Sequence, residues 1–296
     1  MESEILLFVD YIKTKKKMAA NSVTAYMRDL NEFSVFLAEK NVAGLKEATE
    51  ADLAAYLLGL KREDKTGATV NRKLSAIRAF YKYMNTGGYM QTNPAAEIKS
   101  PKIARKDIEF LTLEEIDQLI TKPDQSPKGV RDTAILEALY ATGLRVSELV
   151  EMNVEDINLR MGFVSCSGEH GKARIIPLGR PARAALETYI YEGRSKLLRD
   201  KSDHEKALFL NYYGERLTRQ ALWKILKGYA EAIGIEKKLT PQTIRNTFAV
   251  HMLQNGADLK SLQELLGHED LAATQIYLTV SKNKIKDVYD KTHPRA

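Results

Sequence analysis

The sequence predicts a mostly helical protein with a small β-sheet in its second half, arranged as two domains. Three observations carry this reading. Four amphipathic segments of helical period fill the first 86 residues, and from Gly87 to Phe110 a Gly pair and two prolines interrupt the pattern. Two short β-prone runs around a Gly-containing loop then stand among further helices.

The first segment places Ile5, Phe8, Val9 and Ile12 at helical spacing and runs out into Lys15, Lys16 and Lys17. A second helix from about Ser22 carries Val23, Tyr26, Met27, Leu30, Phe33 and Leu37 on one face. Thr49 to Asp52 reads as a capping box with Asp in place of Glu, opening a third helix that buries Leu53, Tyr56, Leu57 and Leu60. The fourth turns Val70, Leu74, Ile77, Tyr81 and Met84 inward. These four helices define a domain over residues 1–86. Pro94 and Pro101 push their preceding residues out of helical geometry, so 87–110 reads as a linker and 111–296 as the second domain.

Thr112 to Glu115 is a capping box that starts the second domain with a helix through Ile120. Another helix spans about Gly129 to Tyr140, and after the Gly143 turn Arg145 begins a helix through Met152. Gly162 to Ser167 and Ala173 to Leu178 read as a β-hairpin whose loop projects His170 and Lys172. A long helix over Pro181 to Leu198 follows, then a strand over Ala207 to Asn211 and a helix capped by Thr218, with Trp223 expected in the core. Thr240 and Pro241 start a helix running to Asn255. Asp258 caps the next, whose leucine stripe Gly267 ends, and a third short helix after Asp270 carries Tyr277.

A formal charge of +6 suits an anionic partner, although a solvated surface gives the same balance. Lys15, Lys16, Lys17, Arg72, Lys73, Arg78 and Lys82 could lie on phosphates or simply face water. A single cysteine, Cys166, excludes an internal disulfide and points to a reducing, cytoplasmic compartment. No apolar run reaches membrane-span length. Metal-ligand spacings, a Walker loop and a dinucleotide fingerprint are all missing, so the sequence implies no cofactor.

Within Thr240 to Val280, Arg245, His268 and Tyr277 fall near helix ends, where they can converge. Gln242 shares the face of Arg245 at three residues' spacing. Arg145 at a helix start can join backbone N–H groups on one anion. The set reads as a phosphate site with a nucleophile.

Four stretches carry a family resemblance: ATGLRVSEL around Arg145, TIRNTFAVHML around Arg245, LLGHEDLAATQIY ending at Tyr277, and the closing HPRA. On these the second domain resembles the catalytic domain of the tyrosine recombinases, the phage integrase family, nearest to the Xer-type bacterial recombinases. The four N-terminal helices match the family's SAM-like core-binding domain in size and order. The resemblance implies a mixed α/β catalytic domain in which Arg145 and Arg245 neutralise the scissile phosphate. His268 would bond the same phosphate or assist proton transfer, and Tyr277 would form a 3'-phosphotyrosyl link. It implies double-stranded DNA with a specific recombination site as substrate and a homo- or hetero-tetramer with another recombinase. A DNA translocase is a candidate partner, and the C-terminal segment Lys282 to Tyr289 would either dock on a neighbouring protomer or form an ordinary C-terminal helix packed in its own chain. The candidate tasks are chromosome dimer resolution and mobile-element recombination.

Three positions depart from the family pattern. Gln242 stands where the family usually has His, and Asn246 where a His often follows the Arg. In the hairpin, Glu169 occupies the place of the general-acid Lys, so Lys172, His170 or no residue supplies that proton. The alternative function is therefore a catalytically impaired DNA-binding relative with an architectural or regulatory role. A type IB topoisomerase shares the chemistry, but the motifs and the chain length count against it.

Overall fold

The computed structural model describes residues 2–101, 107–167, 173–198 and 205–278. The chain divides into two compact units, Met1–Lys106 and Asp107–Ala296.

The first unit consists of α1 (Glu2–Thr14), α2 (Ala20–Glu39), α3 (Glu50–Arg62) and α4 (Gly67–Thr86). The cap on α3 is local chemistry: the Thr49 side chain accepts from the Asp52 N–H at 3.2 Å, and the Asp52 carboxylate accepts from the Thr49 N–H at 2.9 Å. Leu30, Phe33, Leu53, Leu74, Ile77 and Phe80 fill the core, and Phe8 meets Phe80 edge to face at 5.6 Å. Several cations read as DNA-facing are engaged inside the unit. Lys73 is 3% exposed and pairs with Asp29 and Glu32, and Arg72 also pairs with Asp29. Arg78 donates to the Ile98 carbonyl and the Ser100 hydroxyl. Asp29 is itself fully buried, and a buried carboxylate is tolerated only with such partners.

The second unit begins with α5 (Leu113–Thr121), α6 (Pro127–Thr142) and α7 (Val146–Glu151), followed by a 3-10 turn at Val154–Asp156. A three-stranded antiparallel sheet comes next, built from β1 (Ile157–Asn158), β2 (Phe163–Ser167) and β3 (Ala173–Pro177) in that order. Val164 stands opposite Ile176 and both are buried, which fixes the register, because a one-residue slip would turn them outward. The remaining helices are α8 (Arg180–Thr188), α9 (Arg194–Leu198), α10 (Arg219–Ala232), α11 (Pro241–Gln254), α12 (Leu259–Leu266) and α13 (Ala272–Gln275).

One expectation is refined and three are corrected. The long helix over Pro181 to Leu198 is present without a gap, but it widens into a π turn at Tyr189–Gly193. There the buried Tyr189 hydroxyl donates to the Leu208 carbonyl at 3.0 Å and accepts from the Leu210 N–H at 3.1 Å. Ala207 to Asn211 forms no strand, only single bridges from Ala207 to Asn153 and from Leu210 to Arg216. Its ladder acceptors are taken by side chains, Arg194 on the Ala207 carbonyl and Arg131 on that of Leu210. Trp223 is 41% exposed rather than in the core. The buried stripe of α10 is Leu222, Leu226 and Ala230, and Trp223 sits one residue, about 100°, off it. Finally, α13 ends at Gln275, so Tyr277 lies beyond the helix expected to carry it.

Candidate functional site

Three arginines from three elements meet at the C-terminal end of α12. Thr240 and Pro241 start α11, Thr240 accepting from the Thr243 N–H at 3.1 Å, and Arg245 follows one turn in. Asp258 starts α12 by accepting from the Lys260 and Ser261 N–H groups, each at 2.9 Å, and Gly267 ends it in the left-handed conformation at φ 63°. The last carbonyls of a helix lack partners within it and carry its negative dipole. Here successive carbonyls receive successive guanidinium groups. Arg174 donates to Leu265 at 3.0 Å, Arg245 to Leu266 at 2.7 Å and Arg145 to Gly267 at 3.2 Å.

Two glycines make this approach feasible. A Cβ on Gly267 would lie 2.8 Å from the Arg174 guanidinium. Gly143 caps α6 at φ 60°, a Cβ there would strike the Phe248 ring at 2.4 Å, and its carbonyl accepts from Arg245.

Glu148 ties the cluster together. Its carboxylate takes a forked pair of bonds from Arg174 at 2.8 and 2.9 Å, meets the Arg145 guanidinium at 3.2 Å and accepts from the Arg145 N–H at 2.7 Å. Burial pushes its carboxyl upward, but the bonds from Arg174 and Arg145 outweigh this and hold it below the ordinary glutamate value. Burial, followed by the charge of Arg145, lowers Arg245 to about 10, so it stays cationic at neutral pH.

His268 follows the α12 cap. Arg245 donates to its Nε2 at 3.0 Å, so that nitrogen is the acceptor. The proton therefore sits on Nδ1, which bonds the buried Thr274 hydroxyl at 2.7 Å. Burial and the charges of Arg245 and Arg145 lower its pKa to about 4, leaving a neutral ring at pH 7. Tyr277 is 1% exposed, packs with Phe248, Leu262 and Leu266, and donates to Asn246 Oδ1 at 3.1 Å. Burial raises its pKa, against a downward pull from Arg245 and Arg145.

Arg145, Arg245 and His268 thus converge on residues 265–268, with Tyr277 buried behind them. Gln242 is exposed; it lines a cavity of about 320 Å³ with Arg145, Arg245 and Arg219, and donates to Asn246 Oδ1 at 2.9 Å. Lys172, together with Glu169 and His170, lies outside the described residues, as do the closing HPRA and the segment Lys282 to Tyr289. Sequence reasoning missed Glu148, Arg174, Thr274 and Arg219. Glu148 had a detectable signal, an acidic residue three positions after a helix-start Arg, whereas the other three depend on tertiary contacts.

Comparison with known proteins agrees with this architecture. The profile described as the phage integrase family matches residues 109–284, and its N-terminal SAM-like domain matches 5–86. The chain is 43% identical over 291 residues to "Tyrosine recombinase XerD" of Listeria innocua, covering 98% of both chains. It is 41% identical to the same-named protein of Oceanobacillus iheyensis, covering 100% of each. The solved structure of the XerH site-specific recombinase bound to a palindromic difH substrate matches with a TM-score of 0.73 at 20% identity, over 96% of this chain and 94% of that one. Fold and relatives together define the class as a tyrosine-type site-specific DNA recombinase. The chain belongs to the phage integrase family.

Proposed function

We propose that Tyr277 is the nucleophile of this recombinase on double-stranded DNA and that Arg145 and Arg245 hold the scissile phosphate. The supporting observation is the anchoring of both guanidiniums on neighbouring carbonyls, Gly267 and Leu266, with the neutral His268 against Arg245. Negative charge that builds on the non-bridging oxygens during attack meets two cations already fixed in place.

In the cleavage step the Tyr277 oxygen bonds to phosphorus, the bond from phosphorus to the 5'-oxygen breaks, the phenol loses its proton and the leaving oxygen gains one. An ordinary tyrosine is ionised to only about one part in a thousand at pH 7, and burial lowers that fraction further here. Deprotonation must therefore accompany attack. Gln242 can donate to the phosphate but cannot accept the proton. His268 is our candidate acceptor, through Nε2 once the Arg245 N–H that it now accepts turns to the phosphate; an arriving phosphate also opposes the cations that depress its proton affinity. Lys172 is our candidate donor to the 5'-oxygen. Religation to another 5'-hydroxyl reverses the step without ATP, and exchange between two sites calls for a tetramer of this chain or of this chain with a second recombinase.

The test is incubation with a nicked suicide duplex selected for binding to this chain from a random-sequence pool. The unaltered protein should form a covalent DNA adduct, and Tyr277→Phe should form none while binding equally well. No adduct on such a duplex, or one that survives Tyr277→Phe, refutes the assignment. Glu169→Lys combined with Gln242→His should raise the adduct rate if those two positions limit it.

A further inference from the structure

Two of the three positions at which this chain departs from its family's pattern touch each other, and one of them, Asn246, also touches Tyr277. Gln242 and Asn246 lie one turn apart on α11, and Gln242 Nε2 donates to Asn246 Oδ1 at 2.9 Å. The Tyr277 hydroxyl donates to the same oxygen at 3.1 Å. On its other side, Asn246 Nδ2 donates to the Glu109 carbonyl at 3.1 Å, which fixes the plane of the amide and presents Oδ1 to the two donors. Because Tyr277 is only 1% exposed, water cannot easily replace this acceptor.

We infer that Asn246 is the positioning residue for the nucleophile: it accepts the Tyr277 hydroxyl hydrogen and fixes the rotation about the phenol C–O bond, which leaves the oxygen lone pairs turned away from the amide. The inference rests on the reading of Tyr277 as nucleophile. An amide oxygen accepts a hydrogen bond without taking the proton, so Asn246 orients the phenol and does not serve as its base. A ring nitrogen of histidine can accept the same bond. This accounts for a site that works with Asn where the family pattern often has His. It also gives Gln242 a second role, since its amide shares the oxygen that holds Tyr277 and so links the exposed cavity to the buried phenol.

The test uses the full chain as Asn246→Leu, which keeps the side-chain size without an acceptor, and as Asn246→His. In protein carrying 13Cζ-labelled tyrosine without DNA, the Tyr277 signal, assigned by its loss in Tyr277→Phe, should shift in Asn246→Leu and return toward its original position in Asn246→His. On the selected nicked duplex, Asn246→Leu should form the covalent adduct about 10- to 100-fold more slowly at unchanged DNA affinity, the range expected when a reacting group loses its orientation. Asn246→His should recover most of that rate. An unmoved Tyr277 signal, or an adduct rate in Asn246→Leu equal to or above that of the unaltered chain, overturns the inference. Equal losses in both variants with weakened DNA binding also overturn it, because they mark a purely structural residue. If the unaltered chain forms no adduct, the nucleophile assignment itself fails and this inference falls with it.

Discussion

Replacing Glu148 with Ala should destabilise the second unit heavily, because Glu148 is the only carboxylate described among the three arginines gathered at the end of α12. Its side chain is 8% exposed and that of Arg174 is 13% exposed. Removing one partner of a buried ion pair costs about 3–5 kcal/mol, since the other charge stays behind without compensation. The loss here falls on two guanidiniums, Arg174 and Arg145, beside a third on Arg245. For a domain of this size each kcal/mol lowers Tm by about 2–4 °C, so the transition of the second unit should fall by roughly 6–20 °C. Glu148→Gln keeps one acceptor and the side-chain shape and should lose less. The pH dependence has a definite sign. The folded carboxyl lies below the ordinary glutamate value of 4.5, so its stabilisation is complete above that value and is lost as pH falls through the lower, folded one. Calorimetry of the unaltered chain and Glu148→Gln from pH 7 down to pH 3 should show their Tm difference shrinking at the acid end. A Tm within about 2 °C of the original for Glu148→Ala at pH 7 would refute this account of the cluster.

Two further outcomes follow from the charges. His268 should remain neutral in DNA-free protein down to about pH 4, so its ring resonances in NMR should not titrate near the usual 6.5; because its folded pKa is depressed, its contribution to stability is complete above 6.5 and declines as pH falls toward 4. A midpoint near 6.5 would remove the electrostatic description of the site. Lys73→Met should destabilise the first unit by about 3 kcal/mol or more in chemical denaturation while leaving the salt dependence of DNA binding unchanged, since its charge already answers Asp29 and Glu32. A slope reduced by about one would show that Lys73 contacts phosphate after all.

Much of the fold was legible because it is written in local chemistry. Thr49, Thr112, Thr240 and Asp258 each bond to backbone within three residues, so four helix starts could be read without knowing what the helices pack against. The π turn at Tyr189 and the missing strand at Ala207 could not be read, because both arise from side chains reaching carbonyls elsewhere in the chain. The same division runs through the site. Arg145, Arg245, His268 and Tyr277 stand out as residue types at helix boundaries. The bonds that organise them, Glu148 to Arg174 across 26 residues and Tyr277 to Asn246 across 31, exist only once the unit has folded. Gln242 and Asn246 registered in the sequence only as departures from a pattern, and in the structure they share one oxygen.

The three consecutive carbonyls at the end of α12 also set a limit on how this segment can change. Each added or deleted residue rotates a helix end by about 100° and moves it about 1.5 Å along its axis. A single insertion or deletion between Asp258 and Leu265 would therefore turn the acceptors for Arg174, Arg245 and Arg145 away together, whereas substitutions at exposed positions such as Lys260 or Glu264 leave them in place. Deep scanning of α12 should accordingly find it permissive to residue identity on its outer face and intolerant of any change in length.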